Sequence, residues 1–357
     1  MAPLVNVLKN APQIEAKVCV TAQHREMLDS MLNFFGVRPD YDLDVMAPNQ
    51  TLLGMTSKAL TGLDTVLGDA RPDLVLVQGD TSTTLAAALS AHYRQIEVGH
   101  VEAGLRTGDL AAPWPEEANR RLTSVLAKYH FAPTSTARDN LLREGIAASR
   151  IHVTGNTVID SLLLTAKRVR HSDTQRVALD AIFGFLNSEK RLILVTGHRR
   201  ENLGDGIESV CAALLEIARR DDVEVVFPVH LNPRVRDTVQ RLLGNVPGVF
   251  LIEPQDYLPF VYLMDRATLV ITDSGGIQEE APALGKPVLV TREVTERPEA
   301  IAAGTSRMVG TNRAAIVTAV TDLLDDPAAY AAMAHAANPY GDGTAAQRIC
   351  DILVNAC

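Results

Sequence analysis

The sequence predicts an α/β protein of two similar halves, each a parallel sheet with crossover helices, facing each other across a cleft. Two observations carry this expectation. Short runs rich in Val, Ile and Leu alternate along the whole chain with longer segments of helical period, and the alternation breaks once, at the polar stretch around LLLTAKRVRHSDTQR. Sheets of this kind gather their chemistry at the carboxyl ends of the strands, so candidate functional residues are sought there.

The first half opens with MAPLVNVLKN, which reads as a helix with Pro3 in its first turn, where the missing N–H has no partner to lose. Strands follow at EAKVCVT, DLVLVQGD, IEVGHVEAG, YHFAPT and RIHVTGN, with helices at TTLAAALSAHYRQ and EEANRRLTSVLAK. A doubly wound domain usually opens with a strand and a Gly-rich turn, and neither precedes the first helix here. The basic run in LLLTAKRVRHSDTQR reads as a solvated helix face in the connection between halves. In the second half, strands are expected at RLILVTGH, VEVVFPVH, VFLIEP, TLVITDSGG and KPVLVTRE, and helices at GIESVCAALLEIARR and GIQEEAPALG.

The bulk numbers narrow the function classes. With 357 residues, 46% of them apolar, the chain is long enough for two substantial cores. A net charge of -9, with no stretch that collects the basic residues such binding needs, disfavours binding to nucleic acid or to an acidic membrane. Cys19, Cys211, Cys350 and Cys357 share no short spacing, so neither a redox pair nor a zinc cluster is expected. The first residues lack the apolar core of a signal peptide, and no apolar run is long enough to cross a bilayer, so a cytoplasmic protein is expected.

Three carboxylates stand at strand ends in loops rich in Gly and Pro: Asp80 in QGDTSTT, Glu102 in GHVEAGLRTGD and Glu116 in PWPEEANRR. Together they suggest acid/base work. Taken singly, Asp80 also reads as a helix cap, Glu102 as a loop ion pair with Arg106, and Glu116 and Glu117 as acidic residues placed at the positive end of a helix dipole. For Glu117 the dipole reading is preferred.

In the second half RLILVT runs into His198, Arg199 and Arg200, any of which could neutralise a phosphate; His198 could also carry a proton near neutral pH. In TLVITDSGGIQEE a strand passes through Ser274, Gly275 and Gly276 into a helix, a ready anion site. Glu280, expected in the first helical turn, could accept from ribose hydroxyls or compensate the dipole. Gln255 and Phe260 suggest a base-edge and stacking pair, with a hydrophobic staple as the alternative. No GxGxxG, Tyr-x-x-x-Lys or GxxxxGK[ST] occurs in such a setting, so neither NAD chemistry nor NTP hydrolysis is supported.

The motifs QGDTSTT, GHVEAGLRTGD, PWPEEANRR, VTGNTVID, VTGHRREN, VHLNP, TDSGGIQEEAPALGKPVLV and TERPEA, with the closing NPYGDG, resemble the non-hydrolysing UDP-N-acetylglucosamine 2-epimerases nearly end to end. The resemblance implies the glycosyltransferase-B fold: a Rossmann-like domain at 1–168, rejoined by a C-terminal helix at 345–357, and a UDP-binding one at 169–344, usually in a homodimer. It implies reversible interconversion of UDP-GlcNAc and UDP-ManNAc without a cofactor, by elimination of UDP to 2-acetamidoglucal and re-addition, supplying ManNAc-type precursors for cell-surface polysaccharide.

By the same resemblance Asp80, Glu102 and Glu116 are the catalytic carboxylates and His198 faces the UDP phosphates. Ser274, Gly275, Gly276 and Glu280 form the diphosphate and ribose site, Gln255 and Phe260 the uridine pocket, and Arg297 a further nucleotide contact. Gln23, Arg199 and His230 match a second, regulatory site of some members, whereas Glu26 and Asn49 stand where those members carry Gln and Arg.

Family chains usually begin with a strand and a Gly-Thr-Arg-Pro-Glu turn, then a Lys, ahead of the Met-Ala-Pro-Leu found here at residues 1–4. The first sheet is accordingly expected to show an exposed edge. Other readings stay open: a UDP-sugar-binding form without turnover, a hydrolysing epimerase, or a sugar transferase on the same fold.

Overall fold

The structure, a computed structural model, describes residues 1–23, 25–47, 50–197 and 204–356. The chain divides into two compact units, residues 1–161 with 340–357, and residues 162–339.

The first unit begins with α1 (Ala2–Asn10), with proline in its first turn as its sequence predicts. The chain continues through β1 (Cys19–Val20), α2 (Arg25–Phe35), β2 (Tyr41–Asp42), α3 (Leu52–Ala70), β3 (Leu74–Gln78), α4 (Ser82–Tyr93) and β4 (Glu97–Val101). It then forms α5 (Glu116–Leu126), β5 (Tyr129–Ala132), α6 (Ser135–Arg143), β6 (Ile151–Val153) and α7 (Thr157–His171). Strands β3 to β6 form a four-stranded parallel sheet in sequence order, and β1 pairs with β2 in a separate two-stranded parallel sheet. Of the expected strand EAKVCVT, two residues pair.

Helix α7 carries the chain into the second unit. There follow α8 (Asp173–Ile182), β7 (Arg191–Thr196), α9 (Asp205–Ile217), β8 (Val223–Pro228), α10 (Pro233–Leu243), β9 (Val249–Ile252) and α11 (Tyr257–Arg266). Next come β10 (Leu269–Thr272), α12 (Gly275–Ala283), β11 (Val288–Val290), α13 (Pro298–Ala302), β12 (Ser306–Met308), α14 (Arg313–Asp325) and α15 (Pro327–Ala334). The strands form one parallel sheet in the order β9-β8-β7-β10-β11-β12, the doubly wound arrangement whose strand order reverses between β7 and β10. Its strands read as continuous apolar runs because both faces are covered: Ile193 and Val195 enter one core cluster, Leu192 and Leu194 the other.

The chain ends in α16 (Ala345–Ala356), which belongs to the first unit. Ile349 and Leu353 pack with Leu4, Leu8 and Phe131, each buried aliphatic side chain contributing about 1.5–3 kcal/mol. Asp160 of α7 fastens this helix by accepting the backbone N–H groups of Ala345 and Ala346 at 3.2 and 2.8 Å. Desolvation holds the Asp160 carboxyl above the usual carboxylate range. Among the described residues no helix is long and apolar enough to cross a membrane.

Candidate active site

In the first unit β3 and β4 are adjacent and parallel, so both deliver their last residues to the same edge of the sheet. Strand β3 ends at the turn Gln78-Gly79-Asp80, whose three carbonyl groups each meet a side-chain donor. Thr84 Oγ1 reaches Gln78 O at 2.6 Å, His100 Nε2 reaches Gly79 O at 2.8 Å, and Asn119 Nδ2 reaches Asp80 O at 2.9 Å. Gly79 has φ +71°, and a Cβ there would lie 3.5 Å from Glu102 Oε2, so the turn and the Glu102 carboxylate lie side by side. Asp80 does not cap α4; that cap is Thr81, whose hydroxyl accepts the N–H of Thr84.

Glu102 follows β4 directly and has φ +65°, a left-handed conformation that is strained for a residue with a Cβ. Two amides approach its oxygens, Gln78 Nε2 at 3.4 Å and Asn156 Nδ2 at 3.3 Å. The ion pair with Arg106 that the spacing allows does not form. Arg106 instead forks onto Glu144, with both bonds at 2.8 Å, and donates to Ser124 and to Leu105 O.

Helix α5 brings the third carboxylate. Glu116 opens it, and its Oε2 is shut away from solvent without a hydrogen-bond donor among the described residues. Asn119 and Arg120, three and four positions on, share that face and grip the Asp80 turn: Arg120 Nη2 lies 2.5 Å from Asp80 Oδ2. Glu117 is more than a dipole residue. It is fully buried and accepts from the backbone N–H groups of Thr107 and Gly108 and from Arg120 and Arg121, at 3.1 to 3.3 Å. Sequence reasoning missed Gln78, Asn119, Arg120 and Asn156 as well; all four lie in the motif strings already singled out, beside the carboxylates.

In the second unit Ser274, Gly275 and Gly276 follow β10 at the point where strand order reverses, the position at which doubly wound sheets bind ligands. Thr196 Oγ1 and Thr272 Oγ1 meet there at 2.6 Å. Ser274 is the N-cap of α12 but makes no side-chain capping bond. The first N–H groups of the helix are therefore oriented for an anion. Gln278 and Thr295 brace the turn: Gln278 Nε2 donates to Ser274 O at 3.1 Å and Thr295 Oγ1 to Gln278 Oε1 at 2.6 Å. Arg297 pairs with the buried Glu279, and its Cζ lies 3.8 Å from where a Cβ on Gly275 would be.

Glu280 lies in the second turn of α12 rather than the first, so dipole compensation does not account for it. Loss of hydration, with Glu279 next to it, pushes its carboxyl up to about 8. Burial first, and then the Glu280 carboxyl, raise the Tyr257 hydroxyl. Phe260 is half-buried against the core, and the Gln255 side-chain amide donates to Glu253 O at 2.7 Å. Gln23 is half-buried just before α2, and His230 is exposed with its Nδ1 accepting from Asn232 N at 3.1 Å. His198, Arg199 and Asn49 lie outside the described residues.

Comparison with known proteins bears on what these groups are for. The family model described as UDP-N-acetylglucosamine 2-epimerase matches residues 6–354. The UDP-N-acetylglucosamine 2-epimerase of Escherichia coli strain K12 is 60% identical over 356 residues, covering 99% of this chain and 95% of that protein. A crystal structure of UDP-GlcNAc 2-epimerase from Neisseria meningitidis bound to UDP-GlcNAc is 50% identical with a TM-score of 0.90, over 99% of this chain and 96% of that one. The Methanocaldococcus jannaschii enzyme in complex with UDP-GlcNAc and UDP is 34% identical with a TM-score of 0.78, over 99% and 95%. A whole-length family match and this degree of identity make the assignment plain: the chain belongs to the UDP-N-acetylglucosamine 2-epimerase family.

Proposed function

We propose that this chain interconverts UDP-GlcNAc and UDP-ManNAc by eliminating UDP and adding it back. The hydrogen on C2 of the sugar is not beside a carbonyl, so its removal to a discrete carbanion is prohibitively uphill. Coupling it to departure of UDP makes it feasible. A carboxylate takes the C2 proton, the C1–O bond to the diphosphate breaks with its electron pair leaving on UDP, and the C1–C2 double bond of 2-acetamidoglucal forms. In return a proton reaches the opposite face of C2 and a diphosphate oxygen re-forms the bond to C1. No net oxidation occurs, so no redox cofactor is required.

In this reading the first unit supplies Asp80, Glu102 and Glu116 for proton transfer, each positioned group worth roughly 10²–10⁴ in rate. The second supplies Ser274, Gly275, Gly276 and Arg297 for the diphosphate, Glu280 for the ribose, and Gln255 and Phe260 for the base. His198 stabilises the departing diphosphate, a role worth about 3 kcal/mol for one well-placed donor. The observation that carries the reading is the gathering of Asp80 and Glu102 at Gly79, with Glu116 on the helix that grips the same turn. A homodimer working in the cytoplasm and feeding cell-surface polysaccharide completes the proposal.

Incubation with UDP-GlcNAc in D₂O, without added nucleotide cofactor, should give UDP-ManNAc with deuterium at C2. Product that keeps its protium throughout would rule out proton exchange. Free ManNAc accumulating in step with UDP would replace this reading with hydrolysis, and binding of UDP without any turnover would leave only a binding protein.

A further inference from the structure

The carbonyls of the Asp80 turn are all held by side chains, and the Asp80 carboxylate is held too, by a group that reasoning from strand ends does not reach. Arg120 Nη2 occupies Oδ2 at 2.5 Å, while Oδ1 accepts no hydrogen bond among the described residues. The Arg120 side chain is mostly buried and is itself aimed from behind: its Nη1 donates to Glu117 Oε2 at 3.2 Å. Glu117 is fully buried, and its remaining donors, Thr107 N, Gly108 N and Arg121 Nε, leave it little freedom to follow a moving guanidinium. The arrangement is thus a fixed relay, from a buried carboxylate through one guanidinium to one oxygen of Asp80. It leaves the second oxygen without a hydrogen-bond donor among the described residues, on a side chain that stays 30% exposed.

We propose that Arg120 is a positioning residue for the reaction: it occupies one oxygen of Asp80, fixes the plane of that carboxylate and presents the other oxygen to the sugar. The inference rests on the reading of Asp80 as one of the acid/base groups. A lysine cannot do the same work, because its ammonium is a point donor on a flexible stem and cannot hold Glu117 and Asp80 with two arms of one rigid plane. Arg120 makes no contribution to holding UDP in this view, since its Nη1 and Nη2 are turned to Glu117 and Asp80 and its Nε is buried.

Steady-state kinetics with UDP-GlcNAc, calorimetry with UDP and thermal melting of Arg120→Met, Arg120→Lys, Asp80→Asn and the Asp80→Asn/Arg120→Met double variant test this. Misplacing a reacting group by about 1 Å can slow a reaction roughly 10²-fold. Arg120→Met should accordingly lose on the order of 10²-fold in kcat, with UDP affinity within about threefold of wild type, and Arg120→Lys should recover part of the loss. Because Arg120 acts through Asp80, the double variant should be no slower than Asp80→Asn alone. Losses that multiply in the double variant, or wild-type kcat in Arg120→Met, would overturn the proposal.

If Arg120→Met does not fold, Arg120→Lys decides: a lowered kcat with UDP affinity retained supports positioning, and parallel loss of kcat, UDP affinity and melting temperature refutes it. Wild-type turnover by Asp80→Asn would instead remove the acid/base reading of Asp80, and this inference with it. An inactive Asp80→Asn beside a fully active Arg120→Met would remove this inference alone.

Discussion

His100 Nε2 lies 2.8 Å from the carbonyl oxygen of Gly79, joining the buried middle of β4 to the turn that carries Asp80. A carbonyl only accepts, so this nitrogen carries the proton. On the neighbouring strand His130 stands directly opposite in register, and both rings are fully buried. Desolvation is the main cause that lowers them, His100 to about 4 and His130 to about 3.

Acid should therefore loosen the first unit through these two rings. Both histidines have folded values below the ordinary 6.5, so as pH falls through 6.5 the unfolded chain takes up protons that the folded one refuses. Stability should drop between pH 6.5 and about 4, by about 1.4 kcal/mol per pH unit for each histidine. Melting temperatures recorded from pH 8 to pH 5 should show the fall, and His130→Phe should flatten it. A melting temperature independent of pH over that range would contradict the assignment of neutral buried rings.

Glu280 gives the opposite sign in the second unit. Its folded value near 8 is above the ordinary 4.5, so the unfolded chain loses its proton first and stability declines as pH rises from 4.5 toward 8. Ribose hydroxyls donating to both oxygens of Glu280 would bind the ionised carboxylate more strongly than the protonated acid, so UDP binding should favour loss of this proton. Between pH 6 and 8 the affinity for UDP should tighten, by at most tenfold per unit, and level off above 8. Glu280→Gln should remove that slope while keeping the part that comes from the phosphate of UDP itself. Equal slopes in both proteins, measured by calorimetry in buffers of different ionisation enthalpy, would exclude Glu280 as the ribose acceptor.

What the sequence made legible was where the strands end, because apolar runs closed by Gly, Asp or Glu mark those points without any tertiary information. Asp80, Glu102 and the Ser-Gly-Gly turn were reached that way; Glu116, expected at a strand end too, instead opens α5 well past the end of β4. The partners that hold them were not, and α5 shows why. This helix buries Glu117, Asn119, Thr123 and Ser124 and exposes Leu122 and Val125, the reverse of what apolar periodicity would suggest. A buried polar face becomes visible only when the groups it serves, such as Asp80 forty residues earlier in sequence, are folded against it. Strand β12, Ser-Arg-Met, escaped notice for a related reason: it has no β-branched run, and its place comes from pairing with β11.

Gly104, in the loop after Glu102, is required by space as well as by angle. Its φ is +91°, and a Cβ there would sit 2.3 Å from the carbonyl oxygen of Ala137, in the backbone of α6. Gly108 has a similar φ of +86° but nothing within 4 Å. Gly108→Ala should therefore cost only the backbone strain, about 1 kcal/mol, whereas Gly104→Ala should cost about 3 kcal/mol or more. Chemical denaturation of the two variants separates the contributions; equal losses would mean that α6 yields to the added methyl.

Gly275 is a different case, because at this glycine folding and binding make opposite demands. It is the first residue of α12, its φ is not left-handed, and an added Cβ would meet the Arg297 guanidinium only at ordinary contact distance, 3.8 Å. Nothing in the fold itself then calls for glycine, and Gly275→Ala should leave stability unchanged or raise it by up to about 1 kcal/mol by restricting the unfolded chain. A diphosphate on the N–H groups of this turn would need the space the methyl takes, between the backbone and Arg297. The variant should therefore bind UDP at least tenfold more weakly while melting at or slightly above the wild-type temperature. Calorimetry and thermal melting on the same preparation read both quantities. Unchanged affinity would place the diphosphate elsewhere, and a lowered melting temperature would show that the glycine serves the fold instead.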